Sequence, residues 1–408
     1  MTLYEELKWR GLIKDVTSPE LENKLNNGKL TFYIGTDPTA DSMHIGHYSS
    51  FLIAKRLAKA GHKPLLLIGG ATGRIGDPRP TTEREMKSIE EIEKNTKNLK
   101  KQAEEIFGFE VVDNYDWIKN INIIEFLRDY GKYFNINYML DKDIIRRRLE
   151  TGITFTEFSY MLLQSLDFLH LHETRGVNLQ VAGSDQWGNI TSGVDLIRKK
   201  LGDEVYAFTM PLILDQNGKK FGKSEGNALW LDKNKTSSYE LYQYLINTDD
   251  SMIESYLKVF TFLSPEEIMD IVSKHNNEPH LRLGQKTLAR EIITDLHGKE
   301  EYEKAVQISE NLFSGNIKEI NVHDLMIGLK DVPHFILKDE SLLDLLVNNN
   351  ICSSKREARE FLGNNAISVN GEIVNDENMF IDKTKTIEGK IVVIRRGKKK
   401  YYVGLVGE

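Results

Sequence analysis

The sequence predicts an α/β protein: a parallel-sheet domain first, then an all-α segment, then a small α+β unit. Three observations carry that prediction. A complete strand, helix, strand unit lies within Leu30 to Pro78. Strand signals cease from Ser237 to about Gly328, where helical periodicity takes over. Short apolar strands and the hairpin dipeptide Asn370-Gly371 then close the chain. On this reading the parallel-sheet domain spans 1–228, the helical domain 229–329, a linker 330–340 and the small domain 341–408.

Residues 1 to 29 read as a helical lead-in on Leu3, Leu7, Leu12, Leu21 and Leu25. Leu30 to Gly35 is short, apolar and aromatic, as a buried strand is. Asp37-Pro38 turns the chain, and Asp41 or Ser42 is expected to cap a helix carrying Tyr48, Phe51, Leu52 and Leu57 at helical spacing until Gly61. Lys63 to Ile68 returns as a second strand and runs into the glycine-rich turn Gly69, Gly70, Gly73, Gly76. Such a crossover favours a parallel sheet, whose ligands sit beyond the carboxyl ends of the strands. Ser88 to Phe107 is a charged helix, Glu110 to Trp117 a strand or strand-like turn, and Asn122 to Phe134 and Asp143 to Leu149 inserted helices. Thr156 to Leu171 is a buried helix, Asn178 to Ala182 a strand, Ile190 to Lys200 a helix, and Met210 to Leu214 a further strand.

Composition bounds the rest. The 408 residues are 40% hydrophobic and 28% charged, which describes an ordinary globular chain of two or three domains. No apolar run approaches the ~18 residues of a membrane helix, and the N-terminus carries no signal-peptide stretch. Cys352 is the single cysteine, so no disulfide framework is expected and a reducing cytoplasm is the natural setting. The net charge of −7 disfavours a protein that coats itself in nucleic acid. Between Lys383 and Lys400, however, eight basic residues face one acid, Glu388, giving +7 locally.

Chemistry-bearing residues gather at strand ends. His44-Ile45-Gly46-His47 opens the first crossover helix, where unpaired N–H groups and the dipole favour phosphate. Capping histidines or a metal pair are the alternatives; with one cysteine and no third histidine nearby, no metal site is expected. Tyr160, Gln164 and Asp167 interrupt an otherwise apolar helix along one face, either as a structural hydrogen-bond network or as the polar lining of a pocket. Gly183-Ser184-Asp185-Gln186-Trp187-Gly188-Asn189 joins a strand end to a helix start. Lys219-Lys220-Phe221-Gly222-Lys223-Ser224 is a loop with lysines around a glycine, suited to phosphates or to a solvated surface.

The tetrad His44 to His47 with the distant Lys220-Phe221-Gly222-Lys223-Ser224 resembles the paired HIGH and KMSKS signatures of class I aminoacyl-tRNA synthetases. The flanks Tyr33 to Ala40, Gly73 to Pro78, Tyr160 to Gln164 with Asp167, and Gly183 to Asn189 are similar to those of the bacterial tyrosyl-tRNA synthetases over essentially the whole chain. The resemblance implies a Rossmann-like catalytic domain that condenses L-tyrosine with ATP, as its Mg2+ complex, to tyrosyl-adenylate and then charges tRNA(Tyr). It implies that Thr39 and His44 bond the γ-phosphate side of the transition state, while Lys220, Lys223 and Ser224 close over the pyrophosphate. Gly46 and His47 would seat ribose and adenine, with Gly35 and Gly183 alongside. Asp37, Asp185 and Gln186 would bind the adenylate ribose and the amino-acid head. Tyr160, Gln164 and Asp77 would hold the substrate ammonium, and Tyr33 and Asp167 its phenolic hydroxyl. The chain departs from the pattern after Asp77-Pro78, where Arg79-Pro80-Thr81-Thr82 replaces a loop that often carries Gly-Lys, leaving Arg84 as a weak candidate. It departs again in Lys-Phe-Gly-Lys-Ser.

The small C-terminal unit resembles the RNA-binding fold shared with a small-subunit ribosomal protein. Lys355, Arg356, Arg395, Arg396, Lys398 and Lys399 are its candidate tRNA contacts. The resemblance also implies a homodimer. The alternative reading is an RNA-binding or splicing paralogue that keeps the fold without activation; intact signatures argue against it.

Overall fold

The computed structural model describes residues 1–79, 82, 85–224, 227–397 and 400–407. Its contacts divide the chain into two compact units. The first comprises Met1–Thr236 and Thr248–Leu288, the second Ser237–Asn247 and Ala289–Glu408.

The first unit is a doubly wound sheet built from β1 (Thr31–Thr36), α1 (Ile45–Lys59), β2 (Lys63–Ile68), α2 (Ile89–Phe107), β3 (Glu110–Asp113), α3 (Phe155–Arg175), β4 (Leu179–Gly183), α4 (Trp187–Leu201) and β5 (Tyr206–Met210). The order is β3-β2-β1-β4-β5 and every pairing is parallel. The winding reverses between β1 and β4, the place where such sheets open a crevice. Phe32, Tyr33, Ile34, Leu65, Leu66 and Val181 are all buried, which is why these strands read as continuous apolar runs.

Several expectations are corrected in detail. The helix after Asp37-Pro38 is capped by His44 rather than by Asp41 or Ser42. Residues 43–45 are held extended because Ile45 N–H donates to Leu229 O and Leu231 N–H donates to Met43 O, each at 2.8 Å. The last strand ends at Met210, because Pro211 has no N–H to donate. The lead-in is two helices, Leu3–Trp9 and Leu21–Asn27, separated by a stretch that runs antiparallel beside β5 through Lys14 N–H to Thr209 O (2.7 Å) and Thr17 N–H to Ala207 O (3.0 Å).

The helix α5 (Ile253–Phe260), assigned from sequence to a separate helical domain, belongs to the sheet unit. Phe260 stacks on Tyr48 of α1 at 6.3 Å, and the buried Arg10 guanidinium donates to the carbonyl of Lys258 in the last turn of the helix and to that of Leu263 just past it.

In the second unit α6 (Lys299–Ser314) and α7 (Val322–Gly328) precede a five-stranded sheet. Its strands are β6 (His334–Leu337), β7 (Ile367–Val369), β8 (Glu372–Ile373), β9 (Ile391–Arg396) and β10 (Lys400–Val406), in the order β8-β7-β9-β10-β6. The middle of the range expected as linker is therefore strand: β6 pairs parallel with β10, with Val403 opposite His334. One face of β9 (Val392, Ile394) packs on Leu342, Leu345 and Leu346, and the other (Ile391, Val393) packs on Ile308, Leu312 and Leu325 of α6 and α7. A sheet apolar on both faces needs cover on both, so the helices and the small domain share a core.

Candidate active site

At the carboxyl ends of the strands lies a cavity of about 390 Å³. Tyr33, Gly35, Asp37, Thr39, His44, Gly46 and His47 from the first crossover line it together with Asp77. Tyr160, Gln164 and Asp167 of α3 face them, joined by Gly183, Asp185, Gln186 and Lys220. Fifteen of the residues expected in the site, from Tyr33 to Lys220, thus meet in one space. The side chains of Lys223 and Ser224, like Lys398, Lys399 and Arg84, lie outside the described residues.

The histidine pair is locked by reciprocal capping. Gly46 N–H donates to His44 Nδ1 (3.1 Å), and His44 N–H donates to His47 Nδ1 (3.2 Å). Accepting at Nδ1 leaves a neutral imidazole its proton on Nε2, so each ring becomes a fixed donor. Burial, then the neighbouring His44, pushes His47 down to about 3, so it is neutral at physiological pH. Gly46 serves the cap as well as any ligand: a Cβ there would lie 2.9 Å from His44 Cε1.

The lysine loop is bound to this turn. Phe221 N–H donates to Ile213 O, and Leu229 N–H donates to Gly222 O. Phe221 is buried between Tyr256 and Phe260 with ring centroids at 4.7 Å. Gly222 has φ +80°, and a Cβ on it would fall 1.9 Å from Ile45 Cγ2. Phe-Gly between the lysines is therefore one device: an aromatic anchor, then a residue without a side chain where the loop crosses α1.

A polar network lines the opposite wall. Tyr160 O–H donates to Asp37 Oδ2 (2.9 Å), and Thr72 O–H donates to Asp37 Oδ1 (2.7 Å). Asn114 donates through Nδ2 to both Thr72 Oγ1 and Asp167 Oδ2, each at 3.0 Å, while Trp117 Nε1–H donates to Asp167 Oδ1 (2.9 Å). Asp77 accepts from Gln186 (2.8 Å) and Asn189 (3.2 Å). Of the two sequence readings of the α3 face, both hold: Tyr160 and Asp167 belong to a network, and that network borders the cavity. Burial outweighs the two donors and pushes the Asp167 carboxyl up to about 8. Burial and the adjacent Asp167 raise the Tyr33 phenol well above its usual range. Tyr33 Oη and Gln164 Oε1 are buried and find no partner among the described residues, which is costly for polar atoms unless a ligand completes them.

Sequence reasoning missed Asn114, Trp117 and Thr72. Asn114 and Trp117 stand just past β3, at a strand end like the other site residues, but nothing local in the sequence ties them to Asp167. It also missed Arg148. This buried guanidinium pairs with the buried Glu157 (2.9 Å), one turn before Tyr160, and donates to the carbonyls of Arg79 (2.9 Å) and Thr82 (3.2 Å). It fastens the chain that follows Asp77-Pro78.

Of the residues named for tRNA, Lys355 pairs with Asp344 (2.6 Å) and Arg356 is exposed. The Arg396 guanidinium is occupied within the domain by Ile351 O, Glu357 (3.7 Å) and the Phe361 ring (5.2 Å). Arg395 lies against Gly315.

Comparison with known proteins agrees with this geometry. The family described as "tRNA synthetases class I (W and Y)" matches residues 25–314, and the "Tyrosine--tRNA ligase SYY-like C-terminal domain" matches residues 324–404. The tyrosine–tRNA ligase of Listeria monocytogenes serotype 4a is 49% identical over 99% of each chain, and that of Macrococcus caseolyticus 50% identical over 98% of each. A C-terminally truncated mitochondrial tyrosyl-tRNA synthetase of Aspergillus nidulans, solved by crystallography, superposes with a TM-score of 0.67 at 34% identity, covering 76% of this chain and 94% of that one. The chain is a class I aminoacyl-tRNA synthetase. Within that class it belongs to the tyrosine–tRNA ligases.

Proposed function

We propose that the cavity activates L-tyrosine with ATP, supplied as its Mg2+ complex, and that the same chain then charges tRNA(Tyr). The observation that carries the substrate assignment is the pairing of Tyr33 Oη, buried without a partner among the described residues, with Asp167 in one wall of the cavity. A phenolic hydroxyl placed there donates to Asp167 and accepts from Tyr33. Phenylalanine or an indole leaves both unmet, and a buried unmet polar group is what rejects a substrate most strongly; the standard example of such rejection, ~10⁵ against phenylalanine, is this enzyme family itself. Asp77, Tyr160 and Gln164 take the ammonium group.

No side-chain nucleophile is needed, because the substrate carboxylate attacks the α-phosphorus and pyrophosphate leaves. The protein's part is positioning and charge stabilisation. His44 presents a fixed Nε2–H donor at the helix start, Thr39 lines the same cavity, and Lys220 with Lys223 and Ser224 meets the departing phosphates. Gly35, Gly46, His47, Gly183, Asp185 and Gln186 line the nucleotide side.

The supporting experiment is ATP–pyrophosphate exchange across the amino acids with purified protein. Tyrosine alone should drive it. Silence with every amino acid would instead favour the RNA-binding paralogue, which no observation of the site supports. No helix among the described residues is long and apolar enough to cross a membrane, and we place the enzyme in the cytoplasm, where its tRNA is. The inserted segment exposes Ile123, Ile124, Leu127, Ile136 and Phe155, the last at 73%. That patch supports the homodimer, with a second copy as its cover.

A further inference from the structure

We propose that His170 is a positioning residue for tyrosine recognition: stacked on Trp117, it fixes the plane of the indole and, through the indole, the carboxylate of Asp167; this rests on the ligase reading above. The two rings lie nearly parallel, 14° apart with centroids at 4.5 Å. Both are half-buried, and neither is among the side chains that line the cavity. Any effect of His170 on the substrate must therefore pass through Asp167.

The Asp167 carboxyl is held at both oxygens, by two donors of unequal security. Asn114 holds Oδ2 (3.0 Å) and is itself pinned, because its Oδ1 accepts from Ala71 N–H (2.7 Å) and its Nδ2 also donates to Thr72 Oγ1 (3.0 Å). Trp117 holds Oδ1 (2.9 Å) with the one donor that an indole possesses. That donor is spent on Asp167, and Trp117 stands in a single helical turn, Tyr115–Ile118, so the plane of its ring is set by packing. The buried cluster containing Leu166, Phe168 and Leu169 gives it one support, and His170 gives it a flat one.

Asp167 and His170 stand three residues apart on α3 and share a face. One helix thus offers an acceptor to the edge of the indole and a ring to its face. Burial lowers the pKa of His170, so at neutral pH an uncharged imidazole lies on the indole as an aromatic pair. A phenol donating to Asp167 needs that carboxyl in one orientation, whereas a ring without a hydroxyl does not. Loss of the stack should therefore weaken tyrosine and leave phenylalanine where it was.

His170→Ala and His170→Leu remove the ring, the second keeping its bulk, and His170→Phe restores it. In pyrophosphate exchange the Ala and Leu variants should raise the tyrosine KM about 5-fold, the worth of one aromatic pair, with kcat and the ATP KM within about 2-fold of the parent. The Phe variant should match the parent within about 2-fold throughout. Inhibition by tyrosinol should weaken by the same ~5-fold in Ala and Leu, and inhibition by phenylalaninol, which lacks the hydroxyl, should not change. An unchanged tyrosine KM in the Leu variant would overturn the proposal, as would equal weakening of both inhibitors or a Phe variant no better than Leu. Failure of the ligase reading itself would show separately, as a parent enzyme with no tyrosine-dependent exchange.

Discussion

Asp167 concentrates the chemistry of the site in one carboxyl. Its value is raised from that of a free aspartate, near 4, to about 8, so over that window the folded state binds a proton that the unfolded chain releases. Stability from this group is therefore complete below pH 4 and is lost as pH rises to about 8. Asp167→Asn should flatten that part of the slope, measured as the Tm difference between pH 5 and pH 8. It should also lower kcat/KM for tyrosine activation by about 10², since it removes the charged acceptor of a buried hydrogen bond. A steep slope retained in the variant would place the titration elsewhere. A phenol donating to Asp167 favours the carboxylate, so tyrosine binding near pH 7 should release a proton, visible as buffer-dependent binding enthalpy in calorimetry. An apolar residue at 167 would strand Asn114 Nδ2 and Trp117 Nε1, so a change of substrate requires changes in the turn after β3 as well.

At the scale of elements, the lysine loop depends on two positions that touch no substrate in the proposed mechanism. Gly222→Ala adds a Cβ at positive φ, and that Cβ meets Ile45 at the start of α1. The strain, on the order of 1–3 kcal/mol, must shift the loop or the His44–His47 turn. Exchange kcat should fall at least about 10-fold while the tyrosine dissociation constant stays within about 2-fold, read by pre-steady-state kinetics and equilibrium binding. A selective loss of tyrosine affinity would contradict this. The same elements show what sequence could and could not reveal. β1, α1 and β2 were legible because apolar runs and helical spacing are local, and the His44–His47 signature opens α1. The cap at His44 was not, since it depends on a pairing with residues 229–231 far along the chain. Asn114 and Trp117 were not, because their partner stands about 50 residues away in sequence.

For the whole molecule, the expected domain boundary near 330–340 gave way to a shared core, because the alternation along β9 makes both faces apolar and α6 and α7 supply the second cover. A chain ending at Lys338 therefore does more than drop an RNA-binding module. It uncovers Ile308, Leu312, Leu325 and Leu329, at about 1.5–3 kcal/mol of lost burial each. That truncation should keep exchange within about 3-fold, since the cavity lies wholly in the first unit, and should lose charging. It should also show a second, lower-temperature transition in calorimetry; a single unshifted transition would refute the shared core. The stretch beside β5 has a consequence of its own in the living cell, where the chain emerges from the ribosome N-terminus first. Thr17 and its partner Ala207 are 190 residues apart. At ~5–20 residues per second, roughly 10–40 s separate their synthesis. Throughout that interval the first segment of the nascent chain has no sheet edge to join, so its protection falls to whatever binds it at the tunnel exit.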